Sequence, residues 1–257
     1  LFEKDPNGGI DFILEMRNKG AFPQGEDADK VKFKGAVFFG GFDPKIIKLV
    51  SIDSGSGQNG QDQQSGKLIT FDFQKTEDSI LEGKSPFNLE GGLKLYQLRM
   101  SVEKDLPAGT SFYNPKLMAA VNYFYRTTAS AKLCVDPDPR STKVKDKPCT
   151  FTESVGLSSQ GAPVAVTTVQ QDATSSDLLY KIHIKNVGTG RIIKRGDFLT
   201  INPFRDGFSF SDLDNVYIGE VRLGDQKLVC RPTSMQTLKL IDNAGYILCS
   251  VQKSLFP

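Results

Sequence analysis

Two stretches of the chain repeat one pattern. Residues 10–20 read Ile10-Asp-Phe12-Ile-Leu14-Glu-Met16-Arg-Asn18-Lys-Gly20, and residues 178–188 read Leu178-Leu-Tyr180-Lys-Ile182-His-Ile184-Lys-Asn186-Val-Gly188. In each, apolar residues alternate with mostly polar ones, and Asn-x-Gly follows. Alternation at period two is the mark of a half-buried strand, and Asn and Gly tolerate the backbone a turn requires. A strand and turn repeated so far apart predict two related β domains rather than one enzyme fold.

The other runs agree. Lys30–Phe39, Ile46–Ile52, Lys67–Phe73 and Leu93–Val102 read as strands, although Ile46–Ile52 also fits a short helical turn after Pro44. Met118–Val135 is the longest extended stretch. At about 3.3 Å per residue it exceeds an ordinary strand, so a bend is expected near Ala129-Ser-Ala131. In the second half, Ala162–Val169 and Val216–Leu223 read as strands. Gly224-Asp225 marks a hairpin into Lys227–Cys230, and Asp242–Gly245 marks a second between Leu238–Ile241 and Tyr246–Cys249. No stretch of twelve residues carries helical periodicity. The predicted class is all-β: a first β-sandwich over 1–135, a linker over 136–161 rich in Pro, Ser, Lys and Asp, and a second β-sandwich over 162–257.

With 32 basic and 30 acidic residues among 257, the net charge is only +2. That balance points to neither nucleic acid nor an anionic membrane as partner. No apolar run approaches the roughly 20 residues of a membrane helix. The chain begins at Leu1 without a signal-peptide pattern, which leads us to expect a processed or partial chain whose export signal or anchor lies upstream.

The cysteines fall into two local pairs, Cys134 with Cys149 and Cys230 with Cys249. Proximity favours one disulfide within each pair, the first stapling the linker. Reduced thiols and zinc are the competing readings, although zinc knuckles use tighter Cys-x₂₋₄-Cys spacing. Disulfides would place the chain in an oxidising compartment, outside the cell or in its envelope.

An alternating strand ending in Arg/Lys-Asn-x-Gly resembles the immunoglobulin-like modules of secreted and envelope proteins of prokaryotes. More narrowly, the chain is similar to uncharacterised exported proteins of archaea. Gly41-Phe-Asp-Pro44, Ser85-Pro-Phe-Asn-Leu-Glu-Gly-Gly92, Tyr125-Arg-Thr-Thr-Ala-Ser-Ala131, Cys134-Val-Asp-Pro137 and Gln160-Gly-Ala-Pro-Val-Ala-Val166 carry that similarity. The resemblance implies an extracellular location and a β-sandwich; such proteins usually carry an N-terminal membrane anchor, and the sequence departs from that pattern in showing none. The resemblance implies no activity.

Chemistry-bearing residues are sparse. His183 is the single histidine, and on its strand it points with Lys181 and Lys185 to the polar side. A Ser-His-Asp or Cys-His site needs a base held by a partner, and none is indicated. Asp136, Asp138 and Asp146, or Asp212 and Asp214, are the clusters to weigh as carboxylate pairs, and both read better as solvated turns. Asp53, Asn59 and Asp62 lie in a Gly-rich loop that could wrap a calcium ion, but no glutamate closes the set and a mobile exposed loop is the simpler reading. Gly55-Ser-Gly57-Gln-Asn-Gly60 precedes no helix, so it is not a dinucleotide fingerprint. Tyr96, Phe112, Tyr113, Phe124 and Tyr217 would line a flat face in a glycan-binding module, whereas in an ordinary sandwich such rings fill the core.

The expectation is therefore a non-catalytic extracellular protein with no cofactor, working through protein subunits in an envelope layer, filament or adhesin. Its contacts would be with copies of itself or with other envelope proteins, and it would meet a membrane only through a missing anchor. The alternative is a glycan-binding module or the non-catalytic part of an exported hydrolase.

Overall fold

The computed structural model describes residues 9–24, 34–53, 67–72, 81–102, 108–110, 112–136, 138–139, 141, 147, 149–194, 201–204, 206–231 and 237–255. The protein is all-β; among these residues the one helical element is a single 3₁₀ turn at Lys253–Leu255. The chain divides into two compact units, residues 1–126 with 196–209, and residues 127–195 with 210–257.

The first unit holds β1 (Gly9–Arg17), β2 (Lys34–Gly40), β3 (Ile47–Asp53), β4 (Lys67–Asp72), β5 (Leu93–Val102) and β6 (Met118–Tyr123). They form two antiparallel sheets, ordered β1-β5-β3 and β4-β2-β6. Alternation decides which face each residue takes. Tyr96, Leu98 and Met100 of β5 are buried, and Phe12, Leu14 and Met16 of β1 pack against the same core. In β2, by contrast, Ala36, Val37 and Phe38 are buried in succession. Val37 from one sheet and Tyr96 and Leu98 from the other meet in one cluster.

The second unit holds β7 (Ser154–Gly156), β8 (Val164–Ala173), β9 (Asp177–Asn186), β10 (Asn215–Tyr217), β11 (Arg222–Leu223), β12 (Gln226–Lys227), β13 (Val229–Arg231), β14 (Thr237–Lys239) and β15 (Ala244–Gln252). Its main sheet runs β13-β15-β9-β8-β7, antiparallel throughout. Leu178, Tyr180 and Ile184 of β9 and Ile247, Cys249 and Val251 of β15 face the core, where Val169, Leu238 and Leu240 join them.

The two repeat copies take equivalent places. β1 pairs with β5, which pairs with β3; β9 pairs with β15, which pairs with β13. Leu14 and Met16 face the core of their unit as Ile182 and Ile184 face theirs. One difference stands out. β9 also carries β8 on its other edge, whereas β1 ends its sheet among the described residues.

Several boundaries differ from the sequence reading. The first unit ends at Arg126, not Val135, because Leu133 and Val135 pack into the second core and the Thr127 hydroxyl donates to the Val164 carbonyl at 2.7 Å. Segment 136–161, expected as a linker, belongs to the second unit, and its Ser154–Gly156 pair with β8. Segment 196–209, expected in the second domain, belongs to the first unit, where the Asn122 amide donates to the Ile201 carbonyl at 3.1 Å. The long run from Met118 is a strand only to Tyr123. Phe124 and Tyr125 then both turn toward the first core, which breaks alternation earlier than expected. Ile47–Asp53 is a strand rather than a helical turn. The turn at Asp242-Asn243 is present, with φ of 51° and 64° as a type I′ turn requires. The strand before it, β14, nevertheless pairs with β10 instead of β15.

Candidate functional site

The features most open to a partner are two sheet faces and one strand edge. On the outer face of β1, Asp11, Ile13, Glu15 and Arg17 stand opposite Arg99, Gln97, Leu95 and Leu93 of β5. Ile13 is 72% exposed; on β5, Leu95 is exposed diagonally across from it and Leu93 is exposed two residues further along. Loose ion pairs frame this apolar spot: Arg99 to Asp11 at 3.9 Å, and Arg17 to Glu15 and to Glu90 at 3.7 Å each. Such exposed pairs hold the side chains only weakly, since water screens them. In the repeat, Ile13 stands where the second copy has Lys181. That substitution on the polar side was the available signal for an exposed apolar spot, and the sequence reading passed over it.

The outer face of the second sheet is aromatic and basic. His183 lies opposite Tyr246 on one side and Thr168 on the other. Its Nε2 is 3.2 Å from the Gln170 Oε1, and its ring lies 6.0 Å from that of Tyr246. The Lys181 ammonium sits 4.2 Å from the centre of the Tyr246 ring, within cation–π reach. Leu248, opposite Lys181, is also exposed. His183 thus lies on the polar side with Lys181 and Lys185, where alternation puts it.

Both cysteine pairs form disulfides, Cys134–Cys149 and Cys230–Cys249. Cys230 and Cys249 are directly opposed on β13 and β15, and Cys249 is buried in the second core. Within the loop closed by Cys134–Cys149, the Lys147 ammonium donates to an Asp136 carboxylate oxygen at 2.6 Å and to the Asp138 carbonyl at 3.0 Å. That bond holds the Asp136 carboxyl below the usual carboxylate range. Two disulfides fit an oxidising compartment. Among the described residues no helix is long and apolar enough to cross a membrane.

The remaining expected residues disperse. Asn59 and Asp62 lie outside the described residues, and Asp53 is the last residue of β3. Asp146 also lies outside them. Lys147 engages the Asp136 carboxylate and the Asp138 backbone carbonyl, and Asp214 pairs with Arg191 at 3.5 Å. Among the described residues no three His, Cys, Asp or Glu side chains come together as a metal site. Tyr96 and Phe124 belong to the first core, the Tyr113 hydroxyl accepts the Asp43 N–H at 2.7 Å, and Phe112 and Tyr217 are exposed in different units. They make no common row. A groove of about 380 Å³ in the second unit runs between Thr128–Lys132 and Val155–Gln160, and its lining contains no acidic residue.

No family model, no curated protein and no solved structure matches this chain.

Proposed function

We propose that the chain is a non-catalytic, extracellular structural protein built of tandem immunoglobulin-like sandwiches. It works by protein–protein contact with copies of itself or with other proteins of an envelope layer, filament or adhesin. The strand order supports the fold reading. β8-β9-β15-β13 matches, in chain order and pairing, the A-B-E-D sheet of a constant-type immunoglobulin domain. β1-β5-β3 matches its B-E-D part, and β2 paired with β6 matches strands C and F. The observation that carries the functional reading is the outer face of β1 and β5, where Ile13, on the strand that ends the sheet among the described residues, and Leu93 and Leu95, on the strand next to it, stand exposed. Apolar side chains grouped beside an open strand edge are more useful covered by a partner than left in water.

Light scattering or cryo-electron microscopy of native material tests this. Oligomers or filaments are expected, and a strictly monomeric protein overturns the reading. A second reading, glycan binding, draws on the half-exposed Tyr246 ring flanked by His183 and Lys181. Soluble glycan that quenches tyrosine fluorescence in the native protein but not in a Tyr246→Ala variant would favour it.

A further inference from the structure

We infer that the edge of β1 that has no strand beside it among the described residues pairs antiparallel with the same edge of a second copy of this chain, about a two-fold axis through Leu14. The inference rests on the assembly reading above and names its interface.

The first observation is the edge itself. β1 is nine residues long and unbroken, and its pairing with β5 carries no bulge. Its other edge has no strand beside it among the described residues. Natural edge strands guard against adventitious pairing with charged side chains, lysine above all, and with proline, bulges, shortness or a covering loop. β1, reading GIDFILEMR, has no lysine, proline or bulge and is of ordinary length; its charges, Asp11, Glu15 and Arg17, are of both signs and stand on the outer face. The second observation is the internal repeat. The matching edge of β9 is filled by antiparallel β8, with Val169 opposite Ile182 and Val166 opposite Ile184. An antiparallel strand with apolar residues toward the core is therefore what this motif accepts on that side.

The third observation selects a second copy as the occupant. When β1 lies antiparallel to itself with Leu14 opposite Leu14, Asp11 falls opposite Arg17, and the two-fold repeats the match. Phe12 then meets Met16 on the core side, and Ile13 meets Glu15 on the outer side. Shifting the register by two places Asp11 opposite Glu15 in one direction and Glu15 opposite itself in the other. Like charges directly opposite destabilise a strand pair, whereas opposite charges stabilise it. Asp11 and Arg17 are free to exchange partners because their present ion pairs, at 3.7 to 3.9 Å, are long and solvent-screened. A self-complementary edge of this kind closes a symmetric dimer.

The test uses the full chain with its disulfides intact. In Asp11→Cys/Arg17→Cys, mild oxidation should link two copies, and neither single variant should do so. Asp11→Arg and Arg17→Asp should each weaken dimerisation about tenfold, since each change is felt twice across the axis, and Asp11→Arg/Arg17→Asp should restore it. Circular dichroism checks that each variant is folded. Crosslinking in the double cysteine variant together with rescue by the double charge swap supports the pairing. Oligomers that persist in light scattering without that crosslink overturn this interface and leave the assembly reading standing. A protein that is monomeric at every concentration overturns both. Slow amide exchange along the β1 edge of such a monomer would show that the same chain fills it.

Discussion

Asn18 and Asn186 close the two copies of the repeat with the same pair of hydrogen bonds. Each side-chain amide donates to the carbonyl four residues on, Asn18 to Phe22 and Asn186 to Gly190, both at 2.9 Å. Each side-chain oxygen accepts the N–H two residues on, from Gly20 at 3.0 Å and from Gly188 at 3.1 Å. Asn imitates a backbone turn in this way, so each strand ends in a defined direction. At the first site Gly91, at φ 75°, approaches so closely that a Cβ would lie 1.8 Å from the Asn18 carbonyl oxygen.

Asn18→Ala and Asn186→Ala should each lower stability by about 1–3 kcal/mol, because buried backbone groups lose their partners. Chemical denaturation measures this as a lower midpoint. Gln should not rescue either site, since its extra methylene moves both polar atoms away from the turn. Unchanged midpoints would show that the shared geometry carries no stability.

The core side of the repeat should tolerate charge badly. Ile184→Asp puts a carboxylate into a buried position and should cost several kcal/mol, enough to unfold the second unit. Met16→Asp, at a half-buried position, should cost less. Equal losses in thermal melts would contradict the difference in burial.

Two tyrosines should respond in opposite senses to loss of their hydroxyls. The Tyr96 hydroxyl is buried without a hydrogen-bond partner among the described residues, so Tyr96→Phe should be neutral or stabilising by about 1 kcal/mol. The Tyr125 hydroxyl accepts the N–H groups of Ala21 and Phe22 at 2.9 and 3.2 Å, so Tyr125→Phe should destabilise. Burial pushes Tyr96 and Tyr180 up to about 12. A folded value above the unfolded one means stability is held below the ordinary tyrosine value, about 10, and is lost as pH rises from there toward 12. Ultraviolet titration should show these two phenols ionising late or only on unfolding.

Asp136 works at the other end of the pH scale. Its carboxyl lies below the ordinary value through its bond with Lys147. The resulting stability is present above the unfolded carboxylate value and is lost as pH falls through the lower folded one. Lys147→Met should therefore lessen the acid-side loss, so that the two stability curves converge below about pH 4. Curves that stay parallel as pH falls well below about 4 would dissociate the pair from stability.

The disulfides give a chemical check. Proteolytic mapping without reduction should return Cys134–Cys149 and Cys230–Cys249, and reduction should cost about 3 kcal/mol for each closed loop. A crossed pairing would contradict the opposed positions of Cys230 and Cys249 on adjacent strands.

Local pattern was enough for the class, for most strands and for the inward-facing residues. Alternation fixes Leu14, Met16, Ile182 and Ile184 without reference to distant parts of the chain. Cysteine spacing pointed to both disulfides for a similarly local reason. Tertiary structure decided what alternation does not encode, namely which strand lies beside which. β14 pairs with β10 although it sits next to β15 in sequence. Residues 196–209 return to the first unit, and Leu133 and Val135 leave it for the second core. Above all, β9 gains a neighbour on both edges while its sequence counterpart β1 has one among the described residues. A strand's side chains record the face it buries, but its edge bonds are made by backbone that is the same in every residue. An open edge therefore becomes visible only once the sheet is assembled.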